Sequence, residues 1–148
     1  MELKIERNLS FFILWPENNK QITENPLNNN SIVTKLIYNK FQMLFTGDIE
    51  QIAEERLVSK YDQELKANIL KVAHHGSKTS STEEFINKVQ PKIALIGVGK
   101  NNNYGHPNNE VIKRLTTYGA KIYRTDENGE VSIMVNSEGN IRIKKFIE

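Results

Sequence analysis

Two adjacent histidines and one aspartate are the residues of this chain whose types and positions best fit metal chemistry. His74 and His75 follow the apolar run 69–73, and Asp48 follows the apolar run 43–45 and Gly47. Imidazole is the commonest metal ligand, and α/β folds place their chemistry beyond the ends of strands. These three residues therefore predict part of a metal and catalytic site.

A complete hydrolytic metal site needs more ligands than these. The only other histidine, His106, lies in a polar loop, and the chain contains no H-x-H-x-D-H run. Several His and carboxylate ligands with an open position for water are required for such a site. Asp48 also has a structural interpretation, because an aspartate before a helix is a common N-cap.

A second set of polar residues predicts substrate binding near the histidines. The loop after His75 carries hydroxyls and one lysine ahead of a predicted helix, whose N-terminus favours negative charge. An aromatic ring on a neighbouring loop offers a surface for stacking on a base. The candidates are Ser77, Lys78, Thr79, Ser80, Tyr104 and His106. Alternatively, Ser80 or Ser81 only caps the helix that follows.

Composition fits one domain over 1–148, with 148 residues, 38% hydrophobic residues and a net charge of +2. This charge is too small to argue for nucleic-acid binding by itself. The chain has no cysteine, which excludes disulfides and thiolate metal sites. No apolar run approaches the roughly 20 residues of a membrane helix, and residues 1–7 do not resemble a signal peptide.

The order of predicted elements indicates an α/β fold with a mixed sheet. Apolar patterns predict strands at 9–15, 31–38, 41–46, 69–73, 93–98 and 121–124, and a closing hairpin of 131–135 and 141–147. Residues 17–30 are predicted to form a loop. One helix is expected after Asp48, with Glu50 and Glu54 mostly on its polar face. A second follows a capping box at 81–84, and a third begins with Pro107 in its first turn and ends at Gly119.

Several motifs together resemble the C-terminal half of a metallo-β-lactamase-fold domain and, more narrowly, the ComEC family of DNA-uptake channels. The stretches that carry the resemblance are L-F-T-G-D at 44–48, H-H-G-S-K-T-S-S at 74–81, N-N-Y-G-H-P at 102–107 and Y-R-T-D at 123–126. T-G-D alone is weak, whereas the run at 74–81 followed by the other two is specific. The resemblance covers nearly the whole chain.

The resemblance implies half of an αββα sandwich that, when complete, holds a dinuclear site for a divalent metal, zinc or manganese. Asp48 matches the aspartate that bridges the metals, and one of His74 and His75 matches a direct ligand. It also implies a membrane-associated parent protein whose domain lies outside the cytoplasm and degrades the DNA strand that is not imported. The N-terminal half of that domain, with the H-x-H-x-D-H motif, is absent here, so we expect weak metal binding and no hydrolysis by this chain alone.

Two other functions remain open from the sequence. The chain can be part of a free-standing phosphodiesterase of the same superfamily, or a degenerate module that binds nucleic acid through Lys78, Lys100 and Arg124. The expected partners are DNA, in particular single-stranded or incoming DNA, and the remainder of the parent chain. Half a sandwich exposes one sheet face or edge, so a homodimer of this chain is a further expectation.

Overall fold

Seven strands form one mixed sheet in this computed structural model, which describes residues 1–17 and 21–147. The strands are β1 (Glu2–Glu6), β2 (Leu9–Trp15), β3 (Val33–Tyr38), β4 (Phe41–Phe45), β5 (Ile69–Lys71), β6 (Ile93–Ile96) and β7 (Lys121–Arg124). They lie side by side in chain order. Pairing is antiparallel from β1 to β4 and parallel from β4 to β7. The predicted α/β class with a mixed sheet is confirmed.

Helices connect the parallel strands. They are α2 (Gln51–Tyr61), α3 (Glu83–Val89) and α4 (Asn109–Thr117), with short helical turns α1 (Pro26–Asn29) and α5 (Thr125–Asn128). Each crossover from β4 to β7 advances in the same direction, and right-handed crossovers then place all three helices on one face of the sheet. The fold is therefore half of an α/β sandwich, with a separate hairpin of β8 (Val131–Val135) and β9 (Ile141–Lys145) after the sheet.

The main core lies between the sheet and these helices. Leu44, Leu70 and Ala94 are register partners on adjacent strands, and all three are fully buried. Phe85 of α3 and Leu115 of α4 complete this core from the helix side. Because side chains alternate along a strand, the neighbouring residues of β4 to β6 face the opposite side of the sheet.

That opposite face is also apolar but less covered. Met43, Phe45 and Leu95 are half-buried there, and the rings of Phe11 and Phe45 lie 6.4 Å apart. This burial pattern agrees with a sheet that, within the described residues, is covered by helices on one face only. No helix among them is long and apolar enough to cross a membrane.

Several predicted boundaries were wrong. The strand expected at 69–73 ends at Lys71, and a 3-10 turn (Ala73–Gly76) follows it. Thr82, rather than Ser80 or Ser81, caps α3, since its side chain accepts the Phe85 backbone N–H. Within the expected loop at 17–30, Pro26–Asn29 is helical, and residues 18–20 lie outside the described residues. The N-terminal strand β1 was not predicted.

The third helix also starts later than expected. Pro107 lies outside α4, because Asn108 is its N-cap and accepts the Glu110 backbone N–H. Gly119 follows the C-terminus of α4 with a φ of +82°, which confirms the predicted helix end.

Candidate functional site

The loops after β4, β5 and β6 meet at one edge of the sheet. Parallel strands bring their C-terminal ends to the same edge, which is where the sequence placed its candidate residues. Gly47 holds the first loop close to its neighbour, since its φ is +53° and a Cβ there would lie 2.7 Å from the Ser31 Cβ. The carbonyl of Gly47 accepts the backbone N–H of His74 at 3.1 Å, which joins the Asp48 loop to the histidine loop.

His75 faces Asp48 across this edge. The Nε2 of His75 lies 4.0 Å from Oδ1 of Asp48, and both side chains are about half exposed. On the other side of the ring, Nδ1 lies 2.5 Å from the Gly97 carbonyl oxygen. A carbonyl only accepts, so Nδ1 carries the proton and the lone pair of the neutral imidazole sits on Nε2. The backbone thus presents one nitrogen and one carboxylate to the same space, as metal sites do.

His74 points elsewhere, toward Glu50. Its Nδ1 lies 3.6 Å from Oε1 of Glu50 and is buried without a hydrogen-bond partner among the described residues. Its ring centroid lies 5.7 Å from that of His106. Both histidines of the pair have positive φ, 46° at His74 and 53° at His75, and this left-handed pair of residues turns the two rings toward different carboxylates. A bound cation or an added proton would give the unpaired Nδ1 of His74 a partner.

Glu50 is held as a carboxylate by its neighbours. Its carboxylate accepts hydrogen bonds from the Asn25 amide at 2.8 Å and from the Thr79 hydroxyl at 3.0 Å. Its backbone N–H donates to the side-chain oxygen of Asn29. Burial disfavours the charge, but the hydrogen bonds and nearby His74 outweigh it, so the pKa of Glu50 is lowered. The sequence pattern placed Glu50 on the polar face of a helix, and this was wrong, because it is buried beside the histidines.

Glu54 is a second buried carboxylate that the sequence placed on the solvent side. Its oxygens accept the backbone N–H groups of Ser81 at 2.5 Å and Thr82 at 2.8 Å. Burial raises the pKa of Glu54, although the Thr82 and Ser81 hydrogen bonds and the charge of Arg114 oppose that shift. Glu54 therefore occupies the N-terminus of α3, which the sequence analysis described as a place that favours negative charge.

The hydroxyls predicted to bind substrate mostly contact the chain itself. Ser80 is fully buried and donates to the Ile49 carbonyl at 2.8 Å. The hydroxyls of Ser77 and Thr79 lie 3.0 Å apart, and Thr79 donates to Glu50. Lys78 is exposed at the same edge. The role of these four residues in substrate binding stays a prediction, and only Lys78 presents its polar group freely to solvent.

His106 completes the edge from the loop after β6. The Asn102 side chain accepts the His106 N–H at 2.9 Å and donates to its carbonyl at 2.7 Å, which fixes this loop. Burial lowers the pKa of His106, and the electrostatic interaction with His74 and His75 lowers it further. Tyr104 is 83% exposed and stacks on the His106 ring with a centroid separation of 5.9 Å.

Lys71 is a further site residue that sequence reasoning missed. It lies on β5 between the core and the histidine loop, and burial lowers its pKa while the charge of Asp48 raises it. Its Nζ donates to the Val72 carbonyl at 3.1 Å. A lysine inside the apolar run I-L-K-V was the available signal for this position.

The donor set fits part of a metal site. Asp48 and His75 face each other, but no group of three His, Cys, Asp or Glu residues that could hold a metal occurs among the described residues. His74 and His106 lie at the same edge without converging on that pair. Among the described residues, Asp48 and His75 therefore face each other, and their role as metal ligands stays a prediction.

Comparison with known proteins shows extended similarity to competence proteins. The chain is 38% identical over 125 residues to ComE operon protein 3 of Bacillus subtilis, which covers 84% of this chain and 16% of that protein. It is 34% identical over 142 residues to Competence protein ComA of Neisseria gonorrhoeae, covering 93% and 20% respectively. It is 33% identical over 130 residues to Recombination protein 2 of Haemophilus influenzae, covering 86% and 15%.

The chain spans a fifth or less of the length of these curated relatives. No protein-family model matches it.

Proposed function

Because this chain belongs to the ComEC family of competence proteins, we propose that it is a segment of a DNA-uptake protein and supplies ligands to a metal-dependent phosphodiesterase site acting on DNA. The observation that carries the proposal is the orientation of His75, whose Nε2 is directed at Asp48 by the bond from Nδ1 to Gly97. Such an outer hydrogen bond fixes the tautomer and the direction of a metal-binding histidine.

We assign Asp48 and His75 as the two metal ligands of this segment. A bound zinc or manganese ion would supply a nucleophile from water and polarise a phosphodiester. The other ligands would come from the remainder of the parent chain, so the segment by itself is inactive. His74 and Glu50 would support the loop beside the metal, and Lys78 and Tyr104 would contact the DNA strand. We further propose that the parent protein is membrane-associated, with this domain outside the cytoplasm.

Binding of Mn²⁺ to this chain tests the assignment. Two-ligand binding should be weak and detectable by paramagnetic broadening of amide signals at Gly47, Asp48, His75 and Gly97. Asp48→Asn and His75→Gln should each weaken it at least about tenfold, in line with the loss of a ligand or its support. His74→Gln should change it little. Equal binding by all three variants, or loss only in His74→Gln, would contradict the assignment.

Hydrolysis is tested on a longer chain that joins this segment to the residues preceding it in the parent protein. Single-stranded DNA should be degraded with Mn²⁺ or Zn²⁺ and not after chelation, and Asp48→Asn should abolish the reaction. Elemental analysis of the same sample should find about two metals per chain, as in a dinuclear site. A chain that binds no metal and degrades no DNA would overturn the enzymatic proposal.

A module that only binds nucleic acid is less well supported. The binding surface predicted for such a module includes Arg124, whose guanidinium pairs with Asp126 at 2.6 Å and with Glu127 at 3.0 Å. The charge of that arginine is therefore largely neutralised within the chain. Lys78 and Lys100 remain for this role, and binding of DNA in chelator that weakens with salt would favour it.

A further inference from the structure

A cavity of about 710 Å³ lies at the edge of the sheet opposite the histidines. It is lined by Gln42 near the start of β4, Asn68 just before β5 and Lys92 just before β6, whereas Asp48 and His75 follow the other ends of the same strands. Its apolar wall includes Phe12, Leu14 and Ile37 of β2 and β3. The volume is within the range of small-molecule sites. No residue of the proposed metal site lines it.

The charged groups of this cavity are almost all positive. Of the residues that the structure describes, four lysines line it and one carboxylate, that of Glu64, opposes them; the lysines are Lys35, Lys40, Lys66 and Lys92. None of the four forms an ion pair within the part of the chain that the structure describes. Four cations with one opposing carboxylate favour an anionic occupant.

Lys35 is the least expected member of this group. It is only 7% exposed, and its ammonium donates to the backbone carbonyl of Glu64 rather than to a carboxylate. Burial lowers the pKa of Lys35, and the charge of Glu64 only partly opposes that shift. A buried ammonium is normally paired, so an anion in the cavity would satisfy a charge that the chain leaves without an ionic partner.

Carboxamides form a second polar part of the lining, besides the Tyr61 hydroxyl, which already donates to the Leu14 carbonyl. They belong to Gln42, Gln63, Asn68 and Gln90. The side-chain amides of the three glutamines make no hydrogen bond to any described residue, and the Asn68 side chain uses only its oxygen, which accepts the Gln42 backbone N–H. Carboxamides both donate and accept hydrogen bonds, which matches the edge of a nucleobase. An acyl chain would leave these groups without partners.

We propose that this cavity binds a nucleoside monophosphate. The phosphate would lie among the lysines, the carboxamides would contact the edge of the base, and Phe12 with its aliphatic neighbours would pack against the face of the base. This proposal does not depend on the metal site, because the two sites share no residue and lie at opposite ends of the parallel strands.

Titration of the whole chain with dAMP in EDTA tests the proposal, followed by calorimetry and by amide chemical shifts. We expect shifts at Gln42, Asn68 and Lys92 and none at His75. Combined Lys66→Glu and Lys92→Glu, both at exposed positions, should weaken binding at least about tenfold through charge reversal next to a phosphate. Lys113→Glu, an exposed position on α4, makes the same kind of charge change away from the cavity and should leave the affinity within about twofold.

Three outcomes would overturn the proposal. One is equal affinity in the cavity variant and in Lys113→Glu, with circular dichroism showing that both are folded. Another is competition by inorganic phosphate as effective as that of dAMP, which would show that the base is not bound. The third is tighter binding of laurate than of dAMP, which would assign the cavity to an anionic amphiphile instead.

Discussion

Replacing Glu54 with alanine should destabilise this protein more than most single substitutions. The Glu54 side chain is fully buried, and its two oxygens accept the N–H groups of Ser81 and Thr82. A hydrogen bond to a charged group contributes about 1.5–3 kcal/mol, so two such bonds amount to about 3–6 kcal/mol. Removing the buried charge also relieves its desolvation, which offsets part of the loss.

The net loss in free energy of unfolding should therefore be smaller than that sum, about 2–4 kcal/mol, because two backbone N–H groups lose their acceptor and each unsatisfied buried donor costs about 1–3 kcal/mol. In Glu54→Ala, two N–H groups and the Arg114 guanidinium remain buried or half-buried without the carboxylate. A domain of this size typically has about 5–15 kcal/mol of stability. The variant should thus unfold at clearly lower urea concentration, with an unchanged m-value.

Urea denaturation followed by circular dichroism measures this difference. Glu55→Ala is the matched control, because Glu55 is the next residue on α2 but is exposed, and the Gln51 side chain is its one hydrogen-bond partner in the described part of the chain. It should change stability by no more than about 0.5 kcal/mol. A loss below about 1 kcal/mol in Glu54→Ala, or equal losses in both variants, would refute the conclusion that Glu54 anchors the loop before α3.

Two other perturbations probe the edge that carries the histidines. Gly76→Ala should lower the free energy of unfolding by about 1–3 kcal/mol, measured by thermal or urea denaturation. The φ of Gly76 is +82°, and a Cβ there would lie 2.6 Å from the Pro107 Cβ. Unchanged stability would contradict this close contact. An NMR titration of the metal-free chain should give a pKa of His106 below 6.5. The stability that neutral His106 contributes should therefore be present above pH 6.5 and lost as the pH falls through the lowered pKa. Replacing His74 and His75 with glutamine should raise the pKa of His106 only part of the way back to 6.5, since burial is the larger cause of its lowering.

Six of the seven strands of the large sheet could be predicted from the sequence, because these strands are separated by strong turn and helix signals. Asn39, one of the two residues between the predicted strands 31–38 and 41–46, has a φ of +51°, which is typical of a two-residue hairpin loop. β1 was missed although its residues E-L-K-I-E alternate between polar and apolar, because only Leu3 and Ile5 carry that alternation and the strand is five residues long. The early end of β5 was missed because Val72 and Ala73 are buried without belonging to the strand.

The site was harder to predict than the sheet. Asp48, His74 and His75 could be named as candidate ligands because few residue types serve as metal ligands, and their role stays a prediction. Glu50 and Glu54 could not be recognised, because helical periodicity assigns charged residues to solvent unless the surrounding loops supply donors. Those donors come from residues 21 to 29 positions away in the chain, such as Asn25 and Thr82, and only the tertiary structure brings them together. The orientation of His75 likewise depends on the Gly97 carbonyl of a different strand end.

The order of the seven strands also affects how the chain folds. Every strand of the large sheet pairs with the strand before it in the sequence, so no strand has to be inserted between two that are already paired. The entropy cost of closing each connection rises only slowly with its length, and neighbouring pairs keep sequence separations short. Refolding can then proceed by adding one strand at a time to a growing edge, with a rate high for a chain so rich in β-structure.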